Sequence, residues 1–112
     1  MPVAEMQGKF RRERHSHWHG RSGRDYELVG EPIDSFAMSG ALLYVLAKGS
    51  HILWVGSADD LVTDPASRSR FRLAMNCADR AFRLSGDGPD ADRFATIWDL
   101  EGASPASAVQ AA

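Results

Sequence analysis

The chain has 112 residues, of which 44% are hydrophobic and 25% are charged, and its net charge is −2. These values are typical of one globular domain with a single core. The single cysteine excludes an internal disulfide and fits a reducing compartment. The longest apolar run, residues 41–47, is too short to cross a bilayer, and residues 1–10 lack the apolar segment of a secretory signal. We therefore expect a cytoplasmic protein of bacterial type with no membrane role.

The charges are unevenly distributed along the chain. Residues 1–24 sum to +4 and residues 25–112 to −6. A basic arm on an acidic body indicates contact with nucleic acid, here DNA. The alternatives are a solvated tail that touches nothing specific and a protein partner, which the acidic body favours because it repels phosphate. The candidate nucleic-acid-binding residues of the arm are Arg11, Arg12, Arg14, Arg21 and Arg24.

The sequence predicts three segments: a basic, partly disordered arm (residues 1–24), an α+β domain (residues 25–101) and a flexible tail (residues 102–112). Within the domain, residues 26–29 are expected to form an edge strand. The apolar runs 41–47 and 52–56 flank a turn that contains glycine, and they predict a β-hairpin covered on both faces.

Helical signals follow the hairpin. After an irregular polar stretch, Asp64-Pro65 is a strong helix start, and this helix is expected to end near residue 79. Residues 81–84 predict a short strand, and a second helix is expected from Pro89 or Asp90 to about Glu101. Its apolar residues, all expected to be buried, are Phe94, Ile97, Trp98 and Leu100. The predicted class is α+β: a small sheet built on a central β-hairpin with two flanking helices.

The hairpin carries two short motifs. Residues 42–44 (Leu-Leu-Tyr) resemble a Gly-Ile-Tyr triplet on one strand, and residues 54–56 (Trp-Val-Gly) resemble a Tyr-Ile-Gly triplet on its partner. A polar loop, a helix with arginines, a strand and a helix follow. Over residues 41–101 the chain thus resembles a GIY-YIG nuclease, and the resemblance implies that fold.

The resemblance also implies a catalytic set. Tyr44 matches the first tyrosine, which would help to activate the attacking water, and Trp54 stands in place of the second. An indole only donates hydrogen bonds and cannot transfer a proton in this role. Arg70 is the best match for the arginine that steadies the phosphate, with Arg68 and Arg72 as rivals.

The expected metal ligand is missing from this pattern. Family members hold Mg²⁺ through a glutamate on the last helix, and Ile97 occupies that position here. Asp92, Asp99 or Glu101 would have to substitute. We therefore expect no metal site and no cofactor, with Mg²⁺ as the cofactor only under the alternative of an active nuclease.

The hairpin link gives a geometric test of this set. A link with an odd number of residues would place Tyr44 and Trp54 on one face of the sheet. A two-residue link, Gly49-Ser50, would place them on opposite faces, because side chains alternate along a strand.

Three further patterns have two interpretations each. Arg68 and Arg72 lie one turn apart and could line a phosphate groove, or form a solvated helix face. Trp18 could stack on a base or pack against the domain, and packing is favoured. Finally, the alternating His15, His17 and His19 could bind a metal, although surface histidines are the commoner explanation.

Three functions follow from these patterns. The first is a GIY-YIG-like domain that is catalytically impaired and binds nucleic acid or a protein partner. The second is an active Mg²⁺-dependent DNA endonuclease. The third is a small interaction protein with no nucleic-acid role.

Overall fold

The computed structural model describes residues 15–85 and 93–106. Within these ranges the chain forms six strands and three helices, which confirms the α+β class. The strands are β1 (His15–His19), β2 (Asp25–Glu31), β3 (Tyr44–Lys48), β4 (His51–Gly56), β5 (Arg80–Leu84) and β6 (Ser104–Pro105). The helices are α1 (Ala58–Thr63), α2 (Pro65–Cys77) and α3 (Arg93–Glu101).

All strands belong to one antiparallel sheet in the order β4-β3-β5-β2-β1-β6. The β3–β4 hairpin was expected at the centre of a small sheet, but it lies at one edge. A second hairpin, β1–β2, extends the sheet on the other side of β5. Strand β2 was expected at an edge and is interior, because it pairs with both β5 and β1.

The sheet begins earlier and ends later than the predicted domain. Residues 15–24, assigned from sequence to the arm, form β1 and the turn that leads into β2. Ala103 is buried and Ser104–Pro105 pairs with β1, although both were assigned to the tail. Burial of Trp18, which is 1% exposed, accounts for the earlier start and confirms that this indole packs against the domain. Residues 1–14 and 107–112 lie outside the described residues.

Two apolar clusters cover the two faces of the sheet. The α3-side core includes Trp18, Leu28, Phe82 and Leu100, with Ile97 packed against it. The α2-side core is built from Tyr44, Leu46, Trp54, Ala74 and Ala81, with Phe71 and Met75 of α2 packed against it. Both faces of the β3–β4 hairpin are therefore covered, as its continuous apolar pattern predicts.

Local signals explain the first two helices. Asp64 caps α2 by accepting a hydrogen bond from Ala66 N–H, and Pro65 occupies the first turn, as predicted. Helix α1 was expected to be irregular. It forms because the Ser57 hydroxyl accepts from Asp60 N–H and the Asp60 carboxylate accepts from Ser57 N–H, which is a capping box.

The β3–β4 link contains two residues, Gly49 and Ser50. This is the case in which Tyr44 and Trp54 were expected to lie on opposite faces of the sheet. Lys48 pairs with His51 across the turn. With regular alternation, Tyr44 and Trp54 would then lie on opposite faces. Both belong to the α2-side core instead, so that consequence is wrong.

A β-bulge explains this difference. Leu46 pairs with Trp54 and the next pair skips Leu53, which has no partner in β3. One unpaired residue shifts the alternation by one position. Leu53 therefore points outward, 38% exposed, and Trp54 returns to the face of Tyr44.

Among the described residues, no helix is both long and apolar enough to cross a membrane.

Candidate nucleic-acid interface

Tyr44 and Trp54 share a face, but both side chains are buried. Tyr44 is 4% exposed, and its ring meets Phe36 edge-on at a centroid distance of 5.6 Å. Trp54 is 3% exposed, and its Nε1–H donates a 3.2 Å hydrogen bond to the Ser67 hydroxyl. Its one donor is thus already used inside the domain. These two residues serve as core of the α2 side in this conformation.

The rest of the implied catalytic set is dispersed. Arg70 lies on α2, exposed to solvent, one residue before the Phe71 ring that packs against Trp54. Ile97 packs into the α3-side core, on the opposite face of the sheet from Tyr44. The position that would carry the metal ligand is therefore separated from Tyr44 by the sheet itself.

The residues near Ile97 do not fit a Mg²⁺ site. Asp99 is buried and its carboxylate oxygens already accept hydrogen bonds from Ser22 and Tyr26. Glu101 is exposed at the end of α3, and Asp92 lies outside the described residues. Within residues 15–85 and 93–106, no group of three or more His, Cys, Asp or Glu side chains is arranged to hold a metal ion.

The alternating histidines lie beside acidic residues of β2. His15 Nδ1 contacts the Glu27 carboxylate. The ring nitrogens of His17 and His19 lie 3.7 and 4.0 Å from carboxylate oxygens of Asp25. A row of cross-strand His–carboxylate contacts thus replaces the proposed metal cluster.

The candidate arginines divide into three groups. Arg11, Arg12 and Arg14 lie outside the described residues. Arg68, Arg70 and Arg72 are exposed on α2, and one of them, Arg68, donates a 2.7 Å hydrogen bond to the Leu61 carbonyl. Arg21 and Arg24 lie in the β1–β2 turn, where they adjoin aromatic rings.

The β1–β2 turn brings those two arginines to the end of α3. Arg21 donates from Nε to the Trp98 carbonyl at 2.9 Å, and its guanidinium carbon lies 4.8 Å from the centroid of the Trp98 ring. Arg24 lies 5.4 Å from the centroid of the Tyr26 ring. Arg21 uses one of its five N–H groups in this contact, so others remain for an anion.

Asp99 attaches the turn to the helix. Its carboxylate accepts hydrogen bonds from Ser22 N–H (2.7 Å), the Ser22 hydroxyl (2.8 Å) and the Tyr26 hydroxyl (2.8 Å). A backbone hydrogen bond also joins the turn to the helix, since Arg21 N–H donates to the Asp99 carbonyl at 3.1 Å. This network fixes the position of Arg21 and Arg24 relative to α3.

The network changes the acidity of two groups. Burial opposes ionisation of Asp99, but the hydrogen bonds from Ser22 and Tyr26 and the charge of Arg24 hold the pKa of its carboxyl below the ordinary 3.8. Burial, followed by the hydrogen bond to Asp99, raises the pKa of the Tyr26 phenol above 10.0. Asp99 is therefore a buried carboxylate and Tyr26 a neutral donor at physiological pH.

Two glycines make the close approach possible. A Cβ on Gly20 would lie 2.5 Å from the Asp99 carboxyl carbon, so a side chain at this position would displace the carboxylate. Gly23 has φ +89, a conformation that favours glycine, and closes the turn by donating to the Gly20 carbonyl.

Comparison with protein-family models, with curated proteins and with solved structures finds no match to this chain.

Helix α3 presents two aromatic rings to solvent, and one of them, Trp98, contacts Arg21 of the turn. Phe94 is 83% exposed and Trp98 is 57% exposed, although both were expected to be buried. They are four residues apart and share the outer face, while Ile97 and Leu100 face the core. We call Arg21, Arg24, Phe94 and Trp98 the turn–helix surface. It combines cations with exposed aromatic rings.

Sequence reasoning missed the residues that support this surface. Asp99 was considered only as a substitute metal ligand, and nothing local marks its contact with Ser22, 77 positions away. A second set of contacts holds α3 in place, and part of it could be recognised from the sequence, because Ser57 and Asp60 have the spacing of a capping box. Arg93 joins that box to α3 by donating to the Ser57 hydroxyl at 2.6 Å and to the Asp60 carboxylate at 2.7 Å.

Proposed function

We propose that this is a GIY-YIG-like domain that has lost hydrolytic activity and binds single-stranded nucleic acid through the turn–helix surface. The observation that carries the proposal is the placement of the Arg21 guanidinium against the exposed Trp98 ring, at 4.8 Å. Proteins that bind single strands combine aromatic stacking platforms with cations that follow the phosphate backbone.

The geometry supports stacking on unpaired bases rather than recognition of base edges in a groove of a duplex. Trp98 and Phe94 protrude from the outer face of α3, and a planar guanidinium also offers a surface on which an unpaired base stacks. Arg24 adds a second cation across the turn. Bases inside a duplex are already stacked, so a surface of this kind favours unpaired strands.

Rigidity also supports a binding role. The Asp99 network holds the turn in place before any ligand arrives. Binding at a preorganised surface loses less conformational entropy than binding at a mobile arm.

The GIY-YIG-like part of the proposal rests on the order of elements from β3 to α3: hairpin, helices, strand and helix. The loss of hydrolysis rests on three observations. Tyr44 is buried, the Trp54 N–H is engaged by Ser67, and Ile97 lies on the far face of the sheet.

Binding is tested by fluorescence anisotropy with a labelled oligothymidine and with a duplex of equal length. We expect the single strand to bind more tightly, and its affinity to fall as salt rises. Trp98→Ala should weaken binding by about 1–3 kcal/mol, the usual contribution of one stacked base. Arg21→Ala should also weaken binding and reduce the salt slope by about 1.

The matched control for charge is Lys48→Ala. Lys48 is an exposed cation at the β3–β4 turn, and strand register places it at the end of the sheet opposite to the β1–β2 turn. We expect this variant to bind like the wild type. Equal affinity of wild type and Trp98→Ala would refute the stacking surface.

The endonuclease alternative is tested on the same preparation with plasmid DNA and added Mg²⁺ or Mn²⁺. We expect binding without cleavage. Metal-dependent nicking that is lost in Tyr44→Phe would instead establish the enzyme. A protein that neither binds nor cleaves would leave the partner-binding alternative.

A further inference from the structure

A pocket of about 310 Å³ opens on the α3-side face of the sheet, near the start of β1. Residues 15–18 of β1, Pro105, Ala106 and Arg80 line it. None of the described residues that line it is acidic, and its volume lies at the lower end of the range for small-molecule sites. This pocket shares no described lining residue with the turn–helix surface.

Trp18 lines the pocket, and its indole carries a buried donor. Its side chain is 1% exposed, and Nε1 is the one buried side-chain nitrogen or oxygen of the described residues that has no hydrogen-bond partner. A buried donor without an acceptor costs about 1–3 kcal/mol. Such a group in a native protein calls for an explanation, and a bound molecule that supplies the acceptor is one.

Arg80 supplies a cation on the same face. It pairs with Ala47, which belongs to the α3-side core, so both residues point to that side of the sheet. The Arg80 guanidinium lies 4.9 Å from the centroid of the Phe82 ring, and Phe82 meets Trp18 edge-on at 5.8 Å. No described carboxylate forms an ion pair with Arg80.

The remaining lining is consistent with a ligand that is part polar and part apolar. Ser16 lies on the Trp18 side of β1 by strand alternation and adds a hydroxyl. Pro105 and Ala106 add apolar surface. The imidazoles of His15 and His17 face Glu27 and Asp25 on the other side of the ribbon.

We propose that this pocket binds a small carboxylic acid with an apolar body. The carboxylate accepts from the Arg80 guanidinium, whose planar fork matches a carboxylate, and from the Trp18 indole N–H. The apolar body lies against Pro105 and Ala106. The described polar side chains on this side of the lining, Arg80, Trp18 and Ser16, can all donate hydrogen bonds to an anion.

The test follows the three indole N–H resonances in a ¹H–¹⁵N correlation spectrum of the full chain, assigned with single Trp→Phe variants. The probe is benzoate, and its neutral control is benzamide. We expect benzoate to shift the Trp18 resonance in a saturable manner. Trp54, whose N–H is bonded to Ser67, should not move, and benzamide should leave Trp18 unchanged.

Arg80→Gln should weaken benzoate binding by about tenfold or more, because it removes the charge-assisted hydrogen bonds. Arg72→Gln, at an exposed arginine of α2, should bind benzoate like the wild type. An unchanged Trp54 resonance in Arg80→Gln verifies that the variant is folded. The proposal is overturned if benzoate causes no saturable shift of the Trp18 resonance, or if benzamide binds as well as benzoate. It is also overturned if Arg80→Gln keeps full affinity for benzoate, or if inorganic phosphate binds and benzoate does not.

Discussion

The Tyr26 hydroxyl donates a 2.8 Å hydrogen bond to the buried carboxylate of Asp99 and thereby joins strand β2 to helix α3. The same carboxylate holds the β1–β2 turn through Ser22. One side chain of α3 therefore determines the position of both turn arginines, so stability and the proposed ligand binding depend on the same group.

The first prediction concerns the energy of this contact. Asp99→Ala should lower the free energy of unfolding by about 2–4 kcal/mol, because it leaves the buried Tyr26 hydroxyl and the part-buried donors of Ser22 without their acceptor. Tyr26→Phe should cost about 1–2 kcal/mol. In a double-mutant cycle measured by urea unfolding, we expect a coupling energy of about 1–3 kcal/mol.

Tyr44→Phe is the matched control for the first prediction. No hydrogen bond of the Tyr44 hydroxyl is found within the described residues, so this change should cost about 0.5 kcal/mol or less. Equal effects of Tyr26→Phe and Tyr44→Phe would contradict the assigned role of Asp99.

The second prediction concerns pH. The folded-state pKa of Asp99 lies below its ordinary 3.8. The stability that this carboxylate contributes is therefore complete above pH 3.8 and is lost as the pH falls through the lower folded-state pKa. We expect the difference in free energy of unfolding between wild type and Asp99→Asn to be constant near neutral pH and to shrink in acid.

This prediction is measured by urea unfolding of both proteins from neutral pH into acid. The other carboxylates titrate in both proteins and cancel in the difference. A difference that stays constant across the acid range would show that the Asp99 pKa is the same in the folded and unfolded chains.

The third prediction concerns the space beside the carboxylate. Gly20→Ala should destabilise the domain by several kcal/mol, because its Cβ would lie 2.5 Å from the Asp99 carboxyl carbon. In an Asp99→Ala background the obstacle is absent, so the same change should cost about 1 kcal/mol or less. Equal costs in the two backgrounds, measured by urea unfolding, would contradict a direct clash.

Elements with local signals could be predicted from the sequence. Helix α2 was predicted because Asp64 and Pro65 mark its start. The β3–β4 hairpin and β5 were also predicted, since they are continuous apolar runs between turn residues. In contrast, β1 was assigned to an arm, because most of its residues are histidines. Its one large apolar side chain, Trp18, packs against residues that are distant in the sequence.

Elements that depend on pairing or orientation could not be predicted. Phe94, Ile97, Trp98 and Leu100 were all expected to be buried, and only the three-dimensional position of α3 determines which of them face solvent. The shared face of Tyr44 and Trp54 depends on a bulge that appears only when two strands are paired.

The fourth prediction concerns that bulge. Leu53 is the residue without a partner in β3, so its deletion should leave Leu46 paired with Trp54 and produce a regular two-residue hairpin. Because Leu53 is also partly exposed, we expect a cost of about 1 kcal/mol or less in urea unfolding. Near-ultraviolet circular dichroism should show that the environment of Trp54 is retained.

Deletion of Val55 is the control of equal chain length. It leaves one residue fewer between Trp54 and Gly56, so Trp54 must move to the opposite face or the pair of Tyr44 with Gly56 must be lost. It also removes a buried side chain from the α3-side core. We expect a loss of several kcal/mol or an unfolded chain. If deleting Leu53 is as damaging as deleting Val55, Leu53 is a required part of the strand and the bulge does not set the face of Trp54.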